Sequence, residues 1–529
     1  MSELSEPPVH RSPTERPGLA DADGDHARQQ PRDVRRTKGH SSLLVATSLV
    51  ATSLLGALQA FALLVICGSD ARTEAFLAAY VLYLPVAVMG ASLRATVAAL
   101  VSRAPVGERS RQANEIVARC IVFGALVAGL MLVLTPVLAP VISGDLPTEV
   151  RPTTLAALAF LLPAAFLHIV AAALSGALGA HERFGFSAVA YVVTGTISLI
   201  VSIVMLLAIG PLGAGVGVLT GTVVLAGAHL HRASSVGIRI RISPKALLDR
   251  DQWRIVTEVL SGAALGFALQ TNLAISIVAI GAHEGAITAY SYAYFMTAML
   301  LSLSSLPLAL VTLPELVGAV QRGGRRAVAD HLVRCAPFAY AVVLPLVFAF
   351  LAFGRSLVSW AFEPFVDTQT AHLVFDVGQA LVVMALPATL FYLASAASLP
   401  AATPLGRLVA AGLAIAVQGA AVASVSGAPQ EVAWAHAGAM TISTFALLAQ
   451  VLGRQTLDAM LRSLRTVLPV AAAAAPILVI GLLVGAAATP IQAAAAALVA
   501  MAIYVLALLR LAPLVAAPFV ALMRRAAPG

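Results

Sequence analysis

Lysine is nearly missing from this chain. Only Lys38 and Lys245 occur, and the other cationic residues are all arginine. Charge of either sign is scarce, at 11% of 529 residues, against 60% hydrophobic residues and a mean hydropathy of +0.92. A soluble domain of this length has a polar surface to cover and cannot be so apolar. Cysteine is equally thin. Cys67, Cys120 and Cys335 are odd in number, far apart and without CxxC or Cys/His spacing, which indicates neither a disulfide framework nor a zinc site. Paired carboxylates, a Ser-His-Asp set, a phosphate-binding glycine loop and a heptad array are lacking too. An ATPase or an intramembrane hydrolase is therefore poorly supported, no cofactor or metal is implied, and the expectation is not an enzyme.

What is present is apolar sequence in lengths that fit a bilayer, about 20 residues or more per run. Fourteen spans are expected, near 41–66, 74–102, 116–142, 153–178, 187–209, 212–231, 255–281, 287–317, 335–354, 373–400, 405–425, 434–452, 466–486 and 491–513. The fold class is an all-α polytopic membrane protein. Residues 1–40 are rich in Pro, Asp, Glu, Arg and Gln, and are expected to be a disordered cytoplasmic tail, not a secretory signal. With the N-terminus inside, nearly all of the 33 Lys and Arg fall in cytoplasmic segments. External loops keep Arg72, Arg151 and Arg355, and Arg94 and Arg510 lie within spans. That bias fixes an expected topology with both ends cytoplasmic in a bacterial inner membrane. It also explains the basic loops 232–254 and 322–334 as topology signals beside anionic lipid, with no nucleic-acid partner.

The chain repeats itself weakly. "ALQAFALLVICGSDARTEAFLAAYVLYL" from Ala57 and "ALQTNLAISIVAIGAHEGAITAYSYAYF" from Ala268 share register, turn and a following basic loop. Six spans separate them, an even number, so the halves share one orientation. The expected domains are a first six-helix lobe at 41–233, a basic linker at 234–254 and a second lobe at 255–453. Helices 13 and 14 follow within 454–513, and 514–529 is a cytoplasmic end.

This order of features resembles the MurJ/MviN lipid II flippases, within the multidrug/oligosaccharidyl-lipid/polysaccharide (MOP) exporter superfamily. "GALQAF" and "RTEAFLAAY" occupy the places of that family's helix 1 and helix 2 motifs. "PAAFLHIVAAALSGALGAHERFGFSAVAYVV" resembles its helix 4–5 hairpin, and Ile287–Leu316 its helix 8. The resemblance covers residues 41 to about 455. It implies a transporter that moves a lipid-linked cell-envelope precursor such as a peptidoglycan precursor, with helices 13 and 14 grooved for the lipid tail. Cell-envelope synthesis proteins are possible partners. The family's helix 1 Arg is Gln59 here, its helix 2 Asp is Glu74, and its helix 8 Arg falls on Phe295. The family arginines are implied to meet a diphosphate. In this chain Arg94, one or two turns further along helix 2, is the nearest basic residue.

Four helices carry polar stripes. Tyr80, Tyr83, Ala87, Gly90 and Arg94 share a face of helix 2, and Tyr290, Tyr294, Thr297 and Ser304 one of helix 8. Helix 1 has Ser48, Thr52, Gly56 and Gln59. Helix 7 has Gly262, Gly266 and Gln270, with Asn272 alongside. Close packing accounts for Ser, Thr and Gly. It does not call for Tyr, Gln, Asn and Arg, so helices 1, 2, 7 and 8 are expected to line a hydrated cavity between the lobes. The candidate cavity residues are Gln59, Glu74, Tyr80, Tyr83, Arg94, Gln270, Asn272, Tyr290, Tyr294 and Ser304. An Arg within a span costs at least about 2.5–3.5 kcal/mol unless solvated or paired, and snorkelling to the inner surface is its bland alternative. Glu258, His168, Asp376 and Gln379 are weaker candidates. The expected function is a flippase working by alternating access on a lipid-linked oligosaccharide or other amphiphile. An exporter of another polysaccharide-lipid or of a drug-like cation, and a non-transporting scaffold, are the alternatives.

Overall fold

The computed structural model describes residues 32–102, 104–144, 146–181, 184–240, 250–280, 285–484 and 488–517. Among these residues, apolar runs with few strand-favouring breaks form fourteen α-helices: α1 (Arg32–Cys67), α2 (Ala71–Ser102), α3 (Arg109–Ser143), α4 (Arg151–Ala180), α5 (Phe184–Ile209), α6 (Leu212–Ser235), α7 (Arg250–Ala279), α8 (Ala286–Leu303), α9 (Ser305–Phe362), α10 (Thr368–Ala401), α11 (Pro404–Ala423), α12 (Pro429–Leu452), α13 (Thr456–Val484) and α14 (Pro490–Leu511). Among the described residues, thirteen continuous stretches are long and apolar enough to cross a membrane, and one of them, Pro429–Val484, contains both α12 and α13. Val133, Leu207 and Leu482 are 76%, 73% and 83% exposed, which is intelligible only where the surrounding medium is hydrocarbon.

Local chemistry sets several ends. Asp70 accepts the Thr73 N–H at 2.7 Å and caps α2. Thr403 and Thr489 cap α11 and α14, each followed by a proline whose missing N–H costs nothing at that position. α1 starts at Arg32, so residues 32–40, assigned to the tail by composition, are helical; residues 1–31 lie outside the described residues. The expected loop at 322–334 is helical as well. α9 comprises two helices that meet at a kink on Gly324, whose φ of 56° and ψ of −142° suit glycine alone, and the second runs on from there to Phe362. The Asp330–Arg462 ion pair, 2.7 Å, ties that part to α13.

Helices α1–α6 pack mainly among themselves, as do α7–α12. α13 lies against α9, and α14 against both. Within the first lobe α6 approaches α5 along Gly213, Gly217 and Gly221, where a Cβ at any of the three would run into the facing α5 helix. Between the lobes, α2 packs on α7 and α1 on α8.

Candidate functional site

The stripe on α2 does not face the second lobe along its length. Tyr83 meets His168 of α4 edge-on at 6.4 Å between ring centroids. Gly90 lies under the same imidazole, where an added Cβ would stand 2.8 Å from it. One turn further, the Arg94 guanidinium sits 5.1 Å above the Tyr191 ring of α5. Tyr191 in turn contacts His168 and His229, the latter on α6. His229 Nδ1 donates to the Leu225 carbonyl at 2.9 Å, which leaves Nε2 to accept from the Ser187 hydroxyl at 3.2 Å. The first lobe therefore encloses an arginine, two histidines and two tyrosines. No carboxylate is ion-paired with Arg94 among the described residues. Such a set can hold an anion: a planar cationic fork stacked on an aromatic face, with neutral donors beside it.

The stripe on α8 turns inward in the same way, into its own lobe. The Tyr290 hydroxyl is hydrogen-bonded to His436 Nδ1 of α12 at 2.9 Å, and the Tyr290 and Tyr294 rings both stack near that imidazole. Gln270, 3% exposed, lies beside the Tyr294 hydroxyl. Asn272 is fully buried one turn before Ser276 on α7. Gln418 of α11 donates to Ser276 at 2.9 Å.

Contacts between the lobes are fewer and more specific. The Glu74 carboxylate, 3% exposed, accepts the Thr288 N–H at 3.4 Å. Thr288 is in the first turn of α8, whose N-cap Gly285 has no side chain to offer. A carboxylate of one lobe thus caps a helix of the other, where the helix dipole favours negative charge. The Tyr292 hydroxyl donates to the Ala60 carbonyl at 2.8 Å, from α8 to α1. Tyr80 meets Phe295 edge-on at 6.1 Å. At the other end of the seam, Gly262 of α7 abuts Thr96 of α2. Arg119 is buried close by, 3.6 Å from Glu115, at an apolar gap bounded by Leu93, Phe123, Ile169 and Val259.

Of the ten residues expected to line one cavity, the structure brings Glu74 and Tyr80 to the seam between lobes. Tyr83 and Arg94 lie in the first-lobe interior, and Gln270, Asn272, Tyr290 and Tyr294 in the second. Gln59 donates to the Ser202 hydroxyl of α5 at 2.8 Å, inside the first lobe. Ser304 sits at the kink between α8 and α9 and returns its hydroxyl to the Leu300 carbonyl at 2.9 Å. In this conformation the single cavity is thus replaced by two polar interiors, because α2 and α7 touch and close the space between them. Tyr191, His229, Ser276, Gln418 and His436 went unrecognised in the sequence. Each is a polar residue in a largely apolar helix, and its side-chain partners on other helices are 23 to 160 residues away.

The sequence profile of the family described as "Lipid II flippase MurJ" matches residues 68–488. A solved lipid II flippase MurJ in an inward closed conformation superimposes with a TM-score of 0.66 at 13% identity, over 88% of this chain and 98% of that one. An inward-facing multidrug resistance MATE family transporter of the MOP superfamily gives 0.62 at 12% identity, over 80% and 97%. A MOP superfamily transporter from Pyrococcus furiosus gives 0.59 at 14% identity, over 80% and 95%. At these identities the structural likeness is one of fold. No curated protein matches the chain.

Proposed function

The chain belongs to the MurJ lipid II flippase family and is a membrane transporter, and on that premise we propose that it carries lipid II, or a lipid-linked precursor of the same build, from the inner to the outer leaflet. The observation that carries the reading is Arg94. A half-buried guanidinium at membrane depth, stacked on Tyr191 and without a carboxylate, suits a phosphate-bearing headgroup. The Tyr83 hydroxyl adds a neutral donor for a remaining oxygen. The carboxylates Glu74, Glu115, Glu258 and Asp376 all lie toward helix ends, which disfavours a drug-like cation as cargo.

Alternating access needs two seams that open in turn. The outer one rests on the Glu74 cap and the Tyr292 bond, each worth about 1 kcal/mol. The inner one rests on the α2–α7 contact at Thr96 and Gly262. Energies of that size let a bound headgroup shift the balance through a few kcal/mol of differential affinity. The protein is placed in a bacterial cytoplasmic membrane with both termini inside, which the arginine distribution supports, and cell-envelope synthesis proteins are its candidate partners.

The test is headgroup-resolved flipping of lipid II in vesicles. Arg94→Ala should abolish it at normal membrane abundance, and Arg94→Lys should keep part, since a point charge remains while the fork is lost. Full flipping by Arg94→Ala would sink the reading and leave Arg94 as a snorkelling residue.

A further inference from the structure

The second lobe holds a polar cluster that neither the seams nor the Arg94 site uses. His436 on α12 is 1% exposed. Its Nδ1 is bonded to the Tyr290 hydroxyl and lies 3.4 Å from the Ser276 hydroxyl, which also receives the Gln418 amide. Helices α7, α8, α11 and α12 therefore meet at one imidazole. Close to it stand buried polar atoms with no hydrogen-bond partner: Gln418 Oε1, and both amide atoms of Asn272, one turn from Ser276 on the same face. Asn272 and Gln418 are fully buried. Buried polar atoms in folded proteins are paired with few exceptions, and each exception calls for a reason.

We propose that His436 is a proton-binding site of the second lobe, and that its occupancy shifts the lobes between closed and open arrangements. In the closed structure the ring meets only neutral groups. Tyr290 and Tyr294 face it from α8 and Ser276 from α7; Gln418 of α11 is bonded to that serine, Asn272 lies one turn before it, and Tyr392 of α10 lies beyond Tyr294. Among the described residues no charged side chain acts on it. An imidazolium here is a charge in an apolar interior without a counter-charge. It becomes tolerable when the amide oxygens of Asn272 and Gln418 turn toward it and water enters. α7 and α8 are the helices that build the seams with α2 and α1, so parting the seam is what admits that water. The protonated ring favours the opened seam and the neutral ring the closed one. The proton comes from water on the side to which the lobe is open, and adds to the ring nitrogen that carries the lone pair. If that nitrogen is Nδ1, the Tyr290 hydroxyl reverses from donor to acceptor. On closing, the proton returns to water. A ligand with unequal affinity for two states moves their balance, and here the ligand is the proton.

This rests on alternating access but not on the identity of the cargo, and the test reads conformation alone. Spin labels go at Arg72 and Gln369, exposed near the outer ends of α2 and α10, on the full chain in phospholipid nanodiscs with Cys67, Cys120 and Cys335 replaced by serine. The open-to-closed ratio should rise about fivefold from pH 8 to pH 5.5, toward the tenfold limit set by a one-unit difference in proton affinity between the two states. His436→Gln, which keeps an amide near Tyr290 but takes no proton, should hold the high-pH distribution at both values. His331→Gln, outside this cluster, should respond as the unmodified chain does. Should His436→Gln not fold, Tyr290→Phe leaves the imidazole in place and should move the midpoint. An unmodified chain with no pH response overturns the proposal. So does a His436→Gln variant that still responds, an unmoved midpoint in Tyr290→Phe, or a response that follows sodium instead of pH.

Discussion

At the scale of single residues, the polar side chains in the spans divide by what they touch. Glu74 is the clearest case, because a carboxylate at 3% exposure needs a partner and finds it in the backbone of the opposite lobe. Glu74→Gln keeps an acceptor oxygen but loses the charge that the α8 dipole favours. A loss of about 1 kcal/mol corresponds to roughly a fivefold shift toward an opened outer seam. A cysteine at Ala289, fully buried in the first turns of α8, should then react about fivefold faster with an impermeant thiol reagent. An unchanged rate would mean that the cap does not hold the seam. Gln59, placed in the family's helix 1 arginine position by the sequence, instead joins α1 to α5 through Ser202. That contact was not legible, because the amide of a lone glutamine suits either a cavity or a packed interface.

At the scale of elements, close approach and capping decide which helices move together. A Cβ on Gly262 would overlap Thr96 Oγ1. Gly262→Ala should therefore force α2 and α7 apart and depress transport, while Thr96→Ala removes the opposing hydroxyl and methyl. The double variant should recover most of the activity and stability, a coupling that two independent losses would not show. Asp367 caps α10 through the Thr370 N–H at 2.8 Å. The Thr370 hydroxyl, bonded to the same carboxylate, holds Asp367 below the usual carboxylate range. A depressed carboxyl contributes stability that is present above the ordinary carboxylate range and is lost as the pH falls through the lowered value. Asp367→Ala should cost about 0.5–2 kcal/mol in thermal unfolding, and Asp367→Asn much less. A deficit in Asp367→Ala that persisted in strong acid would point to something other than the ionised cap.

At the scale of the whole molecule, we propose that the two lobes and the appended helix pair move as two bodies. α13 and α14 are held to α9 by the Asp330–Arg462 pair and by the Tyr504 hydroxyl on the Ala341 carbonyl at 2.6 Å, so they travel with the second lobe. The arginine distribution supports the proposed topology, with both ends cytoplasmic. Cysteines at Ser234 and Gly323 should react only with membrane-permeant reagents, and one at Thr148 with impermeant ones, in a background lacking the native cysteines. External labelling at Gly323 would reverse the topology and with it the direction assigned to each seam.

The sequence by itself determined the membrane class and the succession of long apolar helices. These depend on hydropathy, length and spacing, which are local quantities summed along the chain. It also marked α2, α7 and α8 as unusually polar. Only the tertiary structure decided where that polarity points. A helix in an apolar medium can rotate about its axis at little cost in hydropathy, so the rotation is set by the neighbours it packs on. For α2 that neighbour is α4, with His168 over Gly90; for α8 it is α12, with His436 beside Tyr290. Partners so far apart in sequence leave no periodic signal, and the closed seam between α2 and α7 is a property of both lobes at once.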